Sequence, residues 1–127
     1  MDLLVDTHIF LWWVEGGQRL RPVIFQAVRD PRNRVFVSAA SIWEISIKRR
    51  AGKLRFVGSA NEAVAHNGFT ALHVTASEAE LAGDLDWNHR DPFDRMIIAQ
   101  CIAGNFTLVT ADKEMRKRGE IAHLWAE

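Results

Sequence analysis

Leu3-Leu4-Val5-Asp6-Thr7-His8 opens the chain with three apolar residues that run straight into an acid. A strand with one wet face alternates apolar and polar residues. A continuous apolar run suits a strand covered on both faces, as in a parallel sheet. The pattern recurs at Val35-Phe36-Val37 and at Leu108-Val109. Strands are expected at about 2–5, 34–37, 70–74 and 105–110, with a last edge strand at 121–124. Helices are expected at about 9–14, 21–29, 38–51, 61–67, 77–84, 92–103 and 112–118. Gly16-Gly17, the turn Asp30-Pro31-Arg32-Asn33, Gly52, Gly68, Gly104 and Gly119 separate them. Pro22 is tolerated in a first helical turn. Ser77 with Glu80 three residues on reads as a capping box. Strands alternating with helices, joined by right-handed crossovers, make an α/β fold: a three-layer α/β/α sandwich with a central parallel sheet.

Four acids sit near the points where a strand hands over to a helix. They are Asp6 after Leu3-Leu4-Val5, Glu44 beyond Val35-Phe36-Val37, Asp94 at the head of Met96-Ile97-Ile98-Ala99, and Asp112 after Leu108-Val109-Thr110. In a parallel sheet these points share one edge, where such folds build their sites. Carboxylates gathered there repel unless a cation sits among them. Mg²⁺ or Mn²⁺ suits oxygen ligands. The pattern therefore points to a metal-dependent enzyme acting on phosphate.

Each acid also has a structural alternative. Asp6-Thr7 can cap a helix. Ser41-Ile42-Trp43-Glu44 fits a capping box, although Ser38 offers an earlier cap. Asp91 before Pro92 reads as an N-cap followed by proline at the first helical position. Asp94 then lies in the first turn, where the helix dipole favours an anion. Asp94, Ile98 and Cys101 share one helical stripe, which points Asp94 inward. An inward carboxylate is costly unless paired or bound to metal. Asp94 is thus read as a ligand and Asp91 as a cap. Thr110 can cap the last helix, which leaves Asp112 free to face the sheet edge.

The 127 residues suffice for a single domain, residues 1–127, and 48% of them are hydrophobic. No run reaches the ~18 apolar residues of a membrane span, and no secretory signal is expected at the N-terminus. The lone Cys101 permits no internal disulfide, which fits a reducing cytoplasm, and it falls in an apolar helical pattern suited to the core. Sixteen basic residues balance sixteen acidic ones, which counts against a general nucleic-acid binder. Local runs depart from that balance: Lys48, Arg49, Arg50, Lys53 and Arg55, then Arg116, Lys117 and Arg118. They serve either as solvated helix faces or as phosphate contacts. Trp12 and Trp13 are adjacent, so on a short helix they face different ways, and one suits a dimer or partner surface.

The chain resembles the PIN-domain ribonucleases, in particular the VapC-like toxins of type II toxin–antitoxin systems. The resemblance rests on four blocks in order: Leu3-Leu4-Val5-Asp6-Thr7-His8, Ser38-Ala39-Ala40-Ser41-Ile42-Trp43-Glu44-Ile45, Asp91-Pro92-Phe93-Asp94-Arg95-Met96-Ile97-Ile98-Ala99-Gln100, and Leu108-Val109-Thr110-Ala111-Asp112. It implies a Mg²⁺- or Mn²⁺-dependent endoribonuclease acting on RNA, a homodimer silenced by a cognate antitoxin protein. It assigns the metal-site acids to Asp6, Glu44, Asp94 and Asp112, with Thr110 alongside. Asp6 and Asp94 are then the primary ligands, with Glu44 and Asp112 completing the site directly or through water. Thr110, Arg95 and Lys48 are candidates for substrate contacts, the two cations through phosphate, which positions RNA without reading its sequence. A haloacid-dehalogenase-like phosphatase also opens with an acid after the first strand, but needs a second Asp two residues later, where this chain has His8. A non-catalytic interaction module, with the acids kept only as caps, is the rival from another class.

Overall fold

The computed structural model describes residues 1–125. Strand β1 (Asp2–Val5) passes through Asp6 into α1 (Thr7–Val14). Then come α2 (Pro22–Arg29), β2 (Arg34–Ser38), α3 (Ala39–Arg50), α4 (Ala60–His66), β3 (Thr70–Leu72) and α5 (Ala76–Asp84). The chain continues with α6 (Pro92–Gly104), β4 (Thr107–Thr110), α7 (Lys113–Arg116) and β5 (His123–Trp125). All strand pairs are parallel, in the order β3-β2-β1-β4-β5.

Side chains of successive strand residues point to opposite faces. Leu3, Val5, Val35, Val37 and Val109 enter one core cluster with Ile9 and Phe10 of α1, Ile24 and Val28 of α2, Ile45 of α3 and Val64 of α4. Leu4 and Leu108 enter the other with Ile97, Ile98 and Cys101 of α6 and Met115 of α7. A helix layer therefore meets every residue of the apolar runs, and the three-layer arrangement follows. Full burial of such a side chain stabilises by about 1.5–3 kcal/mol. A polar residue anywhere in the run would lose that on one face.

Several boundaries differ from the expected ones. The capping box of α5 is Thr75 with Glu78 rather than Ser77 with Glu80: Thr75 Oγ1 accepts from Glu78 N at 3.1 Å, and Glu78 Oε1 accepts from Thr75 N at 3.0 Å. The same spacing occurs twice in this stretch, and the earlier start adds helical hydrogen bonds. β3 stops at Leu72 because its partner β2 ends opposite it, at Ser38. β5 starts at His123, opposite Leu108, while Ile121 turns into the core. At the end of α6, Asn105 takes the left-handed conformation, with φ 55°. Gly104 is needed for another reason: a Cβ there would meet the Phe106 ring at 2.3 Å.

Among the described residues no helix is long and apolar enough to cross a membrane. β1 lies between β2 and β4, so the chain leaves the sheet's centre in both directions. Crevices form beyond the carboxyl ends of strands at such a switch point. Asp6, Ser38 and Thr110 occupy those ends.

Candidate active site

Asp6 follows β1 and caps α1: its Oδ1 accepts from Ile9 N at 2.9 Å. Its Oδ2 accepts from Thr110 Oγ1 at 2.5 Å. The Thr110 hydroxyl in turn accepts from Asp112 N at 2.9 Å. Asp112 is itself the N-cap of α7, with Oδ1 accepting from Glu114 N at 2.8 Å and Met115 N at 3.0 Å. The expected division of labour is thus reversed, because Asp112 caps the helix while Thr110 ties Asp6 to the start of α7. Thr110 is fully buried, so it orients an acid and is not available to substrate.

Glu44 lies in α3, whose cap is Ser38; the Ser41–Glu44 capping box does not form. Glu44 is buried, and its Oε1 accepts from Thr7 Oγ1 at 2.6 Å. Thr7 Oγ1 also lies 2.9 Å from Ser41 Oγ. A hydroxyl has one proton, so Thr7 donates to the carboxylate and accepts from Ser41. Glu44 Oε2 pairs with Lys48 Nζ at 2.8 Å, one helical turn on. That bond holds the Lys48 ammonium above its ordinary pKa.

Asp91 caps α6, accepting from Phe93 N at 2.9 Å and Asp94 N at 3.3 Å. Asp94 stands in the first turn with Oδ2 2.7 Å from His89 Nε2. His89, Asp94 and Asp112 each offer a donor atom within 4.8 Å of the others. His89 was missed in the sequence because Asp86–Arg90 is a polar stretch without periodicity; its proximity to Asp91-Pro92 was the one available signal. The ring of His89 stacks on Trp87, with centroids 4.5 Å apart.

Arg95 is not placed to contact phosphate. Its guanidinium donates to the carbonyls of Ala82, Gly83, Leu85, Trp87 and His89, at 2.6–3.2 Å. Those carbonyls belong to the end of α5 and the loop that carries His89. Arg95 therefore fastens that loop to α6, one residue from Asp94.

The electrostatics follow from this crowding. Burial pushes the Asp6 carboxyl up to about 6, against the hydrogen bonds from Thr110 and Ile9, and the charges of Asp112 and Glu44 push the same way. Burial also pushes Asp94 up to about 6, against the His89 hydrogen bond, with Asp91 and Asp112 adding to it. A divalent cation would relieve this repulsion, and the oxygen-rich donor set suits one. The folded values lie above the ordinary 3.8. The stability these two protons give is therefore complete below pH ~4 and lost as pH rises through ~6, at roughly 3 kcal/mol for each group. Asp2 and Asp30, held low by Arg34 and Arg32, act in the opposite sense, but below pH ~4. Chelator-treated protein should melt at a lower temperature at pH 7.5 than at pH 4.5, and added Mn²⁺ or Mg²⁺ should recover the difference. A melting temperature flat across that range, with and without cation, contradicts the arrangement.

A cleft of about 200 Å³ at this edge is lined by Asp6, His8, Trp12, Ala111 and Asp112. A groove shares its Trp12 and His8 wall and continues past Arg19, Lys48 and Lys53. Arg49, in the same basic run, is turned away to the carbonyls of Phe56 and Gly58. Of the tryptophan pair, Trp13 packs on Phe25 and Phe69 and donates to Asn67, while Trp12 faces the groove under Arg19.

A parallel α/β/α sandwich with carboxylates converging beyond its central strands defines a class of site suited to divalent cations. The chain belongs to the PIN domain family, whose profile matches residues 3–121. It is 29% identical over 121 residues to Ribonuclease VapC22 of Mycobacterium tuberculosis, covering 90% of this chain and 89% of that protein. The fold is similar to that of VapBC2 from Rickettsia felis, solved with a DNA fragment from its promoter, at a TM-score of 0.68, 14% identity and complete coverage of both chains. It is also similar to a toxin–antitoxin complex from Klebsiella pneumoniae, at a TM-score of 0.66 and 16% identity, covering 94% of this chain and 95% of that one.

Proposed function

We propose that this chain is a Mg²⁺- or Mn²⁺-dependent endoribonuclease, the toxin of a type II toxin–antitoxin pair, acting in the cytoplasm. The observation that carries the reading is the convergence of Asp6, Asp94 and Asp112 at one sheet edge in a PIN-family chain. Asp94 and Asp112 would hold the cation. Asp6, expected with Asp94 as a primary ligand, has its two oxygens engaged by Ile9 N and Thr110 Oγ1, so it stands beside that pair in the accessory place expected of Asp112. When bound, the cation supplies an activated water for in-line attack on a phosphodiester and stabilises charge on the leaving oxygen. Thr110 fixes the Asp6 carboxylate, and Asp112 keeps Oδ1 on the start of α7. Glu44 completes the acidic rim from α3, where Thr7 and Lys48 hold it. Lys48 meets phosphate at the rim by moving off Glu44, and RNA cleavage by the partner-free protein in Mn²⁺ against EDTA tests the whole reading.

Arg19 and Lys53 line the groove that leads away from the acids. They are cations suited to phosphates flanking the scissile bond. Each phosphate contact steepens the salt dependence of binding by about one unit of slope and strengthens binding to all sequences alike. Lys53→Ala should therefore weaken RNA binding uniformly and flatten its salt dependence by about one unit. An unchanged slope removes Lys53 from the RNA path.

The partner assignment draws on the likeness to the Klebsiella pneumoniae toxin–antitoxin complex. Self-association draws on a surface patch: Trp43 is 63% exposed with its ring 5.4 Å from that of Phe93, and Ile47 is 43% exposed one turn along. Exposed apolar patches of this kind mark interfaces. Wild type should sediment as a homodimer and Trp43→Glu as a monomer, and a wild-type monomer at micromolar concentration counts against the dimer. A small protein encoded beside this chain should bind it and stop cleavage; no inhibition removes the antitoxin assignment.

A further inference from the structure

We propose that His89 supplies a nitrogen ligand to the cation and so biases the centre towards Mn²⁺ over Mg²⁺. This rests on the reading of Asp94 and Asp112 as cation ligands.

The dimensions fit one coordination shell. In an octahedron with bonds of ~2.1 Å, ligands at right angles lie ~3.0 Å apart and opposite ligands ~4.2 Å apart. His89 Nε2 lies 2.7 Å from Asp94 Oδ2, and the donor atoms of His89, Asp94 and Asp112 are all within 4.8 Å of one another. Small side-chain shifts bring all three onto one ion.

The imidazole is held in place for such a role. Its ring stacks on Trp87 at an interplanar angle of 18°. Its carbonyl accepts from Arg95 Nη1 at 3.0 Å. Trp87 is fixed in turn: its carbonyl accepts from Arg95 Nη1 at 2.6 Å, and the Arg118 guanidinium lies 5.3 Å from its ring. The His89 side chain keeps 21% of its surface exposed, on the wall of a cavity that it shares with Asp86, Trp87, Asn88 and Glu114. The ring is pre-positioned, with Nε2 directed at Asp94 and part of the side chain open to solvent.

The chemistry decides the bias. Mg²⁺ favours oxygen ligands and retains water, whereas imidazole raises affinity for first-row transition metals. Mn²⁺ accepts the surrounding carboxylates as readily as Mg²⁺ does and gains from the nitrogen. Without a bond to metal, His89 would be only a hydrogen-bond partner that positions Asp94.

The test is pulsed electron paramagnetic resonance of Mn²⁺ added to chelator-treated protein, with Asp94→Asn and His89→Gln in parallel. Expected is a ¹⁴N coupling from a directly bound imidazole, converted to a ¹⁵N signal by ¹⁵N-histidine labelling of the wild type and lost in His89→Gln. The Mn²⁺-to-Mg²⁺ affinity ratio, read by calorimetry, should fall about tenfold in His89→Gln. Asp94-dependent Mn²⁺ binding without nitrogen coupling overturns His89 as a ligand and leaves the carboxylate centre standing. Absence of any Asp94-dependent Mn²⁺ binding overturns the centre and this ligand together. The labelled wild type gives its answer even if a variant fails to fold.

Discussion

Asp94→Asn should lower RNA cleavage by at least about a thousandfold, because losing several kcal/mol of charge stabilisation at ~1.4 kcal/mol per tenfold gives that much. The fold should survive. Asp94 is a half-buried carboxylate whose pKa is pushed up by burial and by Asp91 and Asp112. At neutral pH its charge opposes folding, so a neutral amide of the same shape removes a cost. Asn also keeps a hydrogen-bonding group facing His89. The melting temperature of the metal-free variant should equal or exceed that of wild type. Single-turnover cleavage and thermal unfolding on the same preparations check both halves. Cleavage within tenfold of wild type would remove Asp94 from the centre.

Arg95→Ala should destabilise the protein by roughly 3–5 kcal/mol, since one charged donor set is removed from a network of partly buried carbonyls. Five carbonyls spread from Ala82 to His89 depend on this guanidinium. Arg95→Lys should recover little. An ammonium keeps the charge but offers its donors from a single nitrogen, which cannot span the set. Cleavage should fall in both variants even where they remain folded, because the same loop carries His89 to Asp94. Urea unfolding gives the first quantity, and cleavage at low temperature gives the second. Arg95→Lys with wild-type stability would contradict the fastening role.

The layers of the fold were legible because the strands announce themselves. Leu3-Leu4-Val5 and Leu108-Val109 contain no polar residue, and a strand like that needs a helix on each side. Strand order was not legible, since no residue pattern says that β1 lies between β2 and β4. The cap at Asp91 was legible from Pro92. The roles of Thr110 and Asp112 were exchanged in the expectation because both can cap, and the choice depends on which oxygen reaches Asp6. Glu44 read as a site acid, with its spacing to Ser41 offering capping as the alternative; the cap is Ser38 instead. The spacing that counts is the one to Lys48, four residues on, which suits an ion pair on a helix. Arg95 looked like a phosphate contact because a cation beside an acid cluster invites that reading. Its true partners are backbone carbonyls, which carry no sequence signature. His89 was hidden for the same reason, since tertiary contacts set the path of its loop.

The most direct test of the central claim is the chemistry of the cut. Partner-free protein should be incubated with RNA in ¹⁸O-water, with Mn²⁺ or EDTA, and the new ends identified. Attack by water activated at the carboxylate centre leaves a phosphate monoester carrying ¹⁸O, only when cation is present. A 2′,3′-cyclic phosphate, formed by the neighbouring 2′-hydroxyl and insensitive to EDTA, would contradict the account. So would intact RNA with folded, Mn²⁺-bound protein, a result that would favour a binding module over an enzyme.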